Sequence, residues 1–137
     1  MRFFFDNCLA PPYARAVRAL SAPDRHEVVH LGEKFARDTP DVEWINRLAA
    51  EGDWIIVSGD LRITRNPHER EAWLESGLLA FFFARGWMNV DFWAQAARLV
   101  HWWPKLVDQA QSVVPPAGFI VPFKGSRLEV VARARRG

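Results

Sequence analysis

The sequence predicts an α/β domain, a three-layer sandwich with a central, mainly parallel sheet, followed by a C-terminal helix and a tail. Residues 2–6, 54–59 and 78–83 are short apolar runs without polar alternation, the pattern of strands buried on both faces of a parallel sheet. Segments with helical spacing separate these runs. The resulting β-α-β-α-β-α-β order is typical of a sheet covered by helices on both sides.

Residues at the ends of these segments support each assignment. Pro11 and Pro12 can open the first helix, because proline in the first turn loses no intrahelical hydrogen bond. Thr39 is a suitable N-cap with Pro40 at the first helical position, and Gly52 is a suitable terminator. We therefore predict strands at 2–6, 26–31, 54–59 and 78–83, and helices at 11–20, 40–51 and 67–76.

The chain after the fourth strand continues with a loop at 86–89 and a long helix at 90–103, which Pro104 either kinks or divides. Pro115 and Pro116 then separate a domain at 1–114 from a tail at 115–137. In this tail, residues 118–123 and 127–132 could pair as a hairpin. The tail is also basic, through Arg127, Arg133, Arg135 and Arg136.

Composition limits the classes of protein to consider. The 137 residues carry a net charge of +2 with a pI near 9.1, which is mildly basic and does not by itself indicate a nucleic-acid partner. No apolar run approaches the ~18–20 residues that span a bilayer, and the N-terminus lacks the pattern of a signal peptide. The single cysteine fits a reducing compartment. We expect a cytoplasmic protein that does not contact membranes.

Acidic residues stand where the predicted sheet would bind a ligand. Asp6 and Asp60 directly follow buried strands, and Asp41 lies in the first turn of a helix, with Glu43 two residues further. Ligands of parallel sheets bind beyond the carboxyl ends of the strands, and Mg²⁺ and Mn²⁺ prefer carboxylate oxygens. The acids therefore suggest a metal site. The alternative is structural, with Asp41 stabilising the helix start and the other two capping turns.

Three segments resemble the PIN-like family. Residues 5–11, Phe-Asp-Asn-Cys-Leu-Ala-Pro, are similar to the Asp-Glu-Asn-Leu-Pro opening of small PIN-like proteins. Residues 40–45, Pro-Asp-Val-Glu-Trp-Ile, resemble the Ser-Asp-Glu-Glu-Ile motif, and residues 58–60, Ser-Gly-Asp, resemble the Thr-x-Asp step. The resemblance covers about residues 1–83 and is closest to the branch grouped with toxins of bacterial toxin–antitoxin systems.

The resemblance implies a Mg²⁺- or Mn²⁺-dependent ribonuclease that acts on RNA, is often toxic and is held by an antitoxin protein. It implies that Asp6, Asp41 and Asp60 are the catalytic and metal-binding residues, with Glu43 as the alternative to Asp41. Ser58 and Asn7, which adjoin these acids, are expected to support the site.

The chain departs from the family pattern at Arg62, where a second acid often follows the Thr-x-Asp aspartate by two residues. Glu69 or Glu71 could replace that acid. The departure leaves open a catalytically inactive PIN-like module that binds RNA or protein. Arg62 and Arg65 could hold substrate phosphate, since guanidinium groups bind phosphate bidentately, or Arg62 could pair with the acids.

Other side chains favour structural roles. Phe92, Ala96, Leu99 and Trp103 follow helical spacing, which is typical of a core stripe. We expect Phe92 and Trp103 to be mostly buried and the helix to contribute to a homodimer or an antitoxin contact, rather than to base stacking. Cys8 has no histidine arranged to activate it, so we expect a buried thiol.

Overall fold

A six-stranded sheet lies at the centre of the computed structural model, which describes residues 1–132. Its strands are β1 (Arg2–Phe5), β2 (Glu27–His30), β3 (Trp54–Ser58), β4 (Leu79–Phe83), β5 (Ala117–Val121) and β6 (Glu129–Ala132). The spatial order is β2-β1-β3-β4-β5-β6, and every neighbouring pair is parallel except β5 with β6. The predicted mainly parallel α/β fold is confirmed.

Five α-helices surround the sheet: α1 (Pro11–Ser21), α2 (Leu31–Lys34), α3 (Asp41–Glu51), α4 (Pro67–Ser76) and α5 (Phe92–Ser112). Short 3₁₀ segments occupy Ala22–Asp24, Leu61–Thr64 and Arg85–Asn89, the last of which we predicted as a loop. The short α2 was not predicted. Pro40 is the N-cap of α3 rather than its first residue, because the Thr39 hydroxyl bonds backward to the carbonyl of Ala36 instead of capping the helix. No helix in the described residues is long and apolar enough to cross a bilayer.

Alternate side chains of β1 divide the core into two halves, because successive residues of a strand point to opposite faces. Phe3 and Phe5 lie in the cluster under α1 and α5, where the Phe3 ring packs 4.7 Å from Trp103. Phe4 lies in the cluster under α3 and α4, where its ring packs 5.0 Å from Trp44. The sheet is therefore the middle of three layers, and its strand ends are held from both sides.

Pro104 lies inside α5, and the helix continues without a break to Ser112. Proline deprives the carbonyl four residues earlier of its hydrogen bond. That residue is Val100, which is exposed, so water can reach its backbone. Of the two alternatives for Pro104, the division of the helix is wrong, and the helix extends beyond the predicted end at residue 103.

The two segments predicted to pair near the C-terminus do form an antiparallel pair, β5 with β6. β5 also pairs in parallel with β4, so the segment after residue 114 adds strands to the central sheet. Gly118 permits this packing, because a Cβ there would lie 2.3 Å from the indole ring of Trp73. Arg133, Arg135 and Arg136 of the predicted basic tail lie outside the described residues.

The aromatic residues of α5 are partly where we expected them. Trp103 is buried, as predicted, and Trp102 is buried as well. Phe92 is 41 % exposed, so its predicted burial is wrong. It is the first residue of α5, and its ring stacks on that of Tyr13 with the centroids 4.9 Å apart. Trp93 next to it is 78 % exposed.

Candidate metal centre

Asp6 reaches the site because β1 and β3 pair in parallel and end together. Phe5 lies opposite Val57, and the amide of Asp6 donates to the Val57 carbonyl at 3.1 Å. The Asp6 carboxylate accepts from the Ser58 hydroxyl through Oδ2 and from the Cys8 amide through Oδ1 at 3.0 Å. Asp6 is therefore fixed at the carboxyl edge of the sheet, where it is 2 % exposed.

Burial dominates the ionisation of Asp6. It raises the pKa of this carboxyl to about 7, against the lowering effect of the bonds from Ser58 and Cys8, and the charges of Asp41 and Asp60 raise it further. A negative charge on Asp6 is thus costly near neutral pH unless a cation lies close to it.

Ser58 links Asp6 to Asp60. Its buried hydroxyl donates to Asp6 and accepts from the Asp60 amide at 2.9 Å. The hydroxyl has one proton and can accept through its lone pairs, so both contacts form at once. Ser58, which we expected to support the site, bonds to the Asp6 carboxylate.

Asp41 enters the same edge from the first turn of α3. The indole Nε1–H of Trp44 donates to Asp41 Oδ1 at 3.0 Å, and Trp44 is fully buried, so the carboxyl has a fixed direction. Burial raises the pKa of Asp41; the Trp44 bond lowers it, and the adjacent charge of Asp60 raises it. Asp41 therefore holds a proton more readily than a solvated aspartate does.

Asp60 is buried and paired with Arg62. The guanidinium donates to Asp60 Oδ1 through Nε at 2.9 Å and to Oδ2 through Nη2 at 2.8 Å, and the Arg62 amide donates to Oδ1 at 3.0 Å. These bonds from Arg62 are the main cause that lowers the pKa of Asp60. The pairing of Arg62 with an acid, one of the alternatives left open by the sequence, is the arrangement found.

Glu69 completes a group of three carboxylates that we call the acidic cluster: Asp41, Asp60 and Glu69. One oxygen from each lies within 4.8 Å of the others. Glu69 is the third residue of α4, whose start Asn66 caps by accepting from the amides of His68 and Glu69. Burial and the charges of Asp41 and Asp60 raise the pKa of Glu69. Its Oε2 is buried and has no hydrogen-bond partner within residues 1–132.

The other predicted residues lie apart from the acidic cluster. Glu43 is exposed and pairs with Arg47 at 3.5 Å, because two residues of separation turn it to another side of α3. Glu71 is exposed and is not in the cluster. Asn7 is exposed, and its side-chain amide donates to the Arg37 carbonyl at 3.3 Å. Of the two candidates to replace the missing acid, Glu69 and not Glu71 lies in the acidic cluster.

The loop after Asp6 is held by His30 and carries an inert thiol. The Nδ1 of buried His30 accepts from the Gly32 amide at 3.1 Å, while its Nε2 lies 2.7 Å from the Leu9 carbonyl. Cys8 is exposed, so its predicted burial is wrong, because it follows the strand at the open edge of the sheet. Partial desolvation and the charge of Asp6 raise the pKa of Cys8 to about 12, which leaves little thiolate to act as a nucleophile.

A cleft of about 340 Å³ lies beside Asp60. We call it the arginine cleft, and it is lined by Gly59, Arg62, Arg65, Arg85, Met88 and Asn89. Arg65 lines this cleft together with Arg62, and Arg85 is an addition that the sequence did not single out.

Hard divalent cations fit the acidic cluster. The donor set is entirely carboxylate oxygen, which suits Mg²⁺ and Mn²⁺. The buried, unpartnered Oε2 of Glu69 is costly without a hydrogen bond or a cation. Three carboxylates brought this close repel one another, and a bound cation would remove that repulsion.

The raised pKa of Asp6 predicts a pH dependence of stability. The folded protein binds this proton more tightly than the unfolded chain, because the pKa rises from 3.8 to about 7. Its stabilising contribution is present below about pH 4 and is lost as the pH rises through 7. Relative to Asp6→Asn, the free energy of unfolding of the wild type should fall by up to about 1.4 kcal/mol per pH unit in that window.

Urea unfolding of both proteins in chelator between pH 4 and 8 measures this difference. Asp108→Asn, at an exposed site on α5, is the matched control: it retains Asp6 and should show the same pH dependence as the wild type. A difference between wild type and Asp6→Asn that does not change with pH would contradict the assignment.

Comparison with known proteins places this site in a family. No curated protein and no solved structure gives a significant match to the chain. The family described as PIN like domain matches residues 1–85, a stretch that includes β1 to β4 and all the acids of the site. The match covers more than half of the 137 residues, and the chain therefore belongs to the PIN-like domain family.

Proposed function

We propose that the protein is a Mg²⁺- or Mn²⁺-dependent endoribonuclease whose metal is held by Asp41, Asp60 and Glu69, with Asp6 beside them. The PIN-like domain is a nuclease-type fold. The observation that carries the proposal is the approach of three carboxylates within 4.8 Å, one of which presents a buried oxygen without a partner. A buried carboxylate oxygen without a hydrogen bond is costly, and a bound cation would remove that cost.

The side chains have separate tasks in this proposal. A bound divalent ion supplies charge neutralisation at the phosphate and a more acidic bound water. Trp44 orients the Asp41 carboxylate, and the backbone amide of Arg62 holds the Asp60 carboxylate. Asp6, held by Ser58 and the Cys8 amide, has a pKa of about 7 and can take up or release a proton near neutral pH.

Substrate contact falls to the arginine cleft in this proposal. Arg62 and Arg65 line it beside Asp60 and would bind the phosphates of RNA without reading its sequence. Arg62 would have to leave Asp60 to do so. It can, because its side chain is 79 % exposed.

Cleavage of a labelled single-stranded RNA tests the proposal. The wild type should cut with Mg²⁺ or Mn²⁺ and stop in chelator. Asp60→Asn, Asp41→Asn and Glu69→Gln should each lower the rate by roughly 10²–10³-fold, the usual loss when one electrostatic stabiliser of a transition state is removed. Each change keeps the shape of the side chain and removes its charge.

Glu71→Gln is the matched control, because Glu71 lies on the same helix but is exposed and outside the acidic cluster. It should cleave at the wild-type rate. Cleavage in chelator, or an active Glu69→Gln protein, would reject the role given to the cluster.

A second candidate function, a catalytically inactive module that binds RNA or protein, is favoured by the pairing of Arg62 with Asp60. The guanidinium occupies both oxygens of one carboxylate of the cluster. However, the guanidinium end of this pair is 79 % exposed and can move into water. A divalent cation held by three carboxylates would replace the positive charge that buried Asp60 loses, and we favour the enzyme.

Arg62→Gln separates these two candidates. Removing the competing cation should raise the affinity for Mn²⁺, because the guanidinium occupies both oxygens of a buried carboxylate that the metal would use. Calorimetric titration of Mn²⁺ into both proteins measures the change. Arg65→Gln is the control, since it removes the same charge from the cleft without touching Asp60. If only Arg62→Gln binds Mn²⁺ and the wild type binds none, the inactive module is the better account.

The biological role that we propose is the toxin of a toxin–antitoxin pair. The resemblance of residues 5–11, 40–45 and 58–60 to that branch supports it, and α5 offers a surface for the antitoxin or a second copy. Trp93 and Val100 are exposed and, seven residues apart, share one side of the helix. Expression in a bacterium should arrest growth, and Asp60→Asn should relieve the arrest. Equal growth with both proteins would contradict the toxin role.

A further inference from the structure

The arginine cleft contains two cations that the acids do not use. We propose that it holds the phosphate backbone of single-stranded RNA next to the bond that is cut, with Arg85 and Arg65 as the phosphate ligands and Met88 as an apolar wall for the adjoining nucleoside. The inference rests on the proposed ribonuclease function and adds Arg85 and Met88 to its substrate contacts.

The cleft and the acids belong to one edge of the sheet. β4 is the parallel neighbour of β3, so the 3₁₀ segment Arg85–Asn89 after β4 lies beside the loop that carries Asp60. The contact between them is close, since a Cβ on Gly59 would lie 2.8 Å from the methyl group of Met88. A strand of RNA in the cleft would therefore adjoin Asp60 directly.

The charges of the cleft favour a polyanion. Arg65 and Arg85 are exposed, and neither makes an ion pair with an acid of residues 1–132. No acidic side chain lines the cleft. The acidic cluster by itself repels phosphate, so a nucleic acid must be held by cations close to it. Guanidinium groups are suited to this task because they bind phosphate bidentately.

The segment that presents Arg85 and Met88 is anchored in the core by Trp87. Trp87 between them is buried, stacks on Phe83 with ring centroids 4.2 Å apart, and donates from Nε1 to the Val121 carbonyl at 2.9 Å. A fixed segment loses little entropy when it binds a ligand. Arg85 and Met88 are therefore presented in a defined position rather than on a free loop.

A nucleic acid matches the mixed chemistry of the cleft better than a simple anion does. Met88 is 42 % exposed and lines the cleft together with the arginines. A polynucleotide offers both phosphates for the cations and a sugar and base for the apolar wall. A small anion such as free phosphate would leave the methionine without a partner.

Binding of a fluorescent single-stranded RNA, measured by anisotropy in chelator over a series of salt concentrations, tests the proposal. Each phosphate contact of a single strand contributes about −0.7 to the slope of log K against log salt. Arg85→Gln should weaken binding and reduce the magnitude of the slope by about 0.7, and the Arg65→Gln, Arg85→Gln double variant should reduce it by about 1.4. Arg85→Lys should keep the slope.

The control is Arg15→Gln, an exposed position on α1 outside the cleft with the same loss of charge. Equal weakening by Arg15→Gln and Arg85→Gln, or an unchanged slope in Arg85→Gln, would overturn the assignment. The assignment would also be overturned if a labelled poly-glutamate peptide bound more tightly than RNA and Arg85→Gln abolished that binding. The cleft would then fit a protein partner. Because no metal is present, failure here is distinct from failure of metal-dependent cleavage.

Discussion

The parallel pairing of β1 with β3 is the constraint on which the rest of the site depends. Two strands that run the same way and end level with each other deliver Asp6 and Asp60 to one edge of the sheet, and the Ser58 hydroxyl joins them. The side chains of both strands are buried on both faces of the sheet, between the two aromatic halves of the core, and this packing holds the strands in their register. The packing of the core, which takes no part in the chemistry, thus fixes the positions of Asp6 and Asp60.

Charge crowding follows from this geometry. Asp6, Asp41 and Glu69 all bind a proton more readily than solvated carboxyl groups do, whereas the pKa of Asp60 falls because Arg62 is attached to it. One guanidinium partly neutralises the cluster, and a divalent cation can replace it. Negative charge at the acids and positive charge in the arginine cleft lie side by side, as a metal-dependent enzyme acting on a polyanion requires.

The fold class could be predicted from the sequence, because apolar runs without alternation are a local pattern. Of the three aspartates predicted as metal ligands, Asp41 and Asp60 belong to the acidic cluster, whereas Asp6 lies beside it. The sequence alone could not decide that Glu69, and not Glu71, belongs to the acidic cluster. The family pattern has an acid two residues after Asp60, where this chain has Arg62. Glu69 joins Asp41 and Asp60 because α4 packs against α3, and the sequence does not show this packing. Helical spacing likewise predicted the burial of Trp103 but not the exposure of Phe92, since periodicity does not reveal where a helix leaves the layer beneath it.

Diffraction from crystals grown with Mn²⁺, recorded at a wavelength where manganese scatters anomalously, tests the central claim that the acidic cluster is a metal site. The account predicts an anomalous peak that marks a manganese ion bonded to oxygens of Asp41, Asp60 and Glu69, with Arg62 moved away from Asp60. A cluster without a peak, with Arg62 still bound to both oxygens of Asp60 at saturating Mn²⁺, would contradict it.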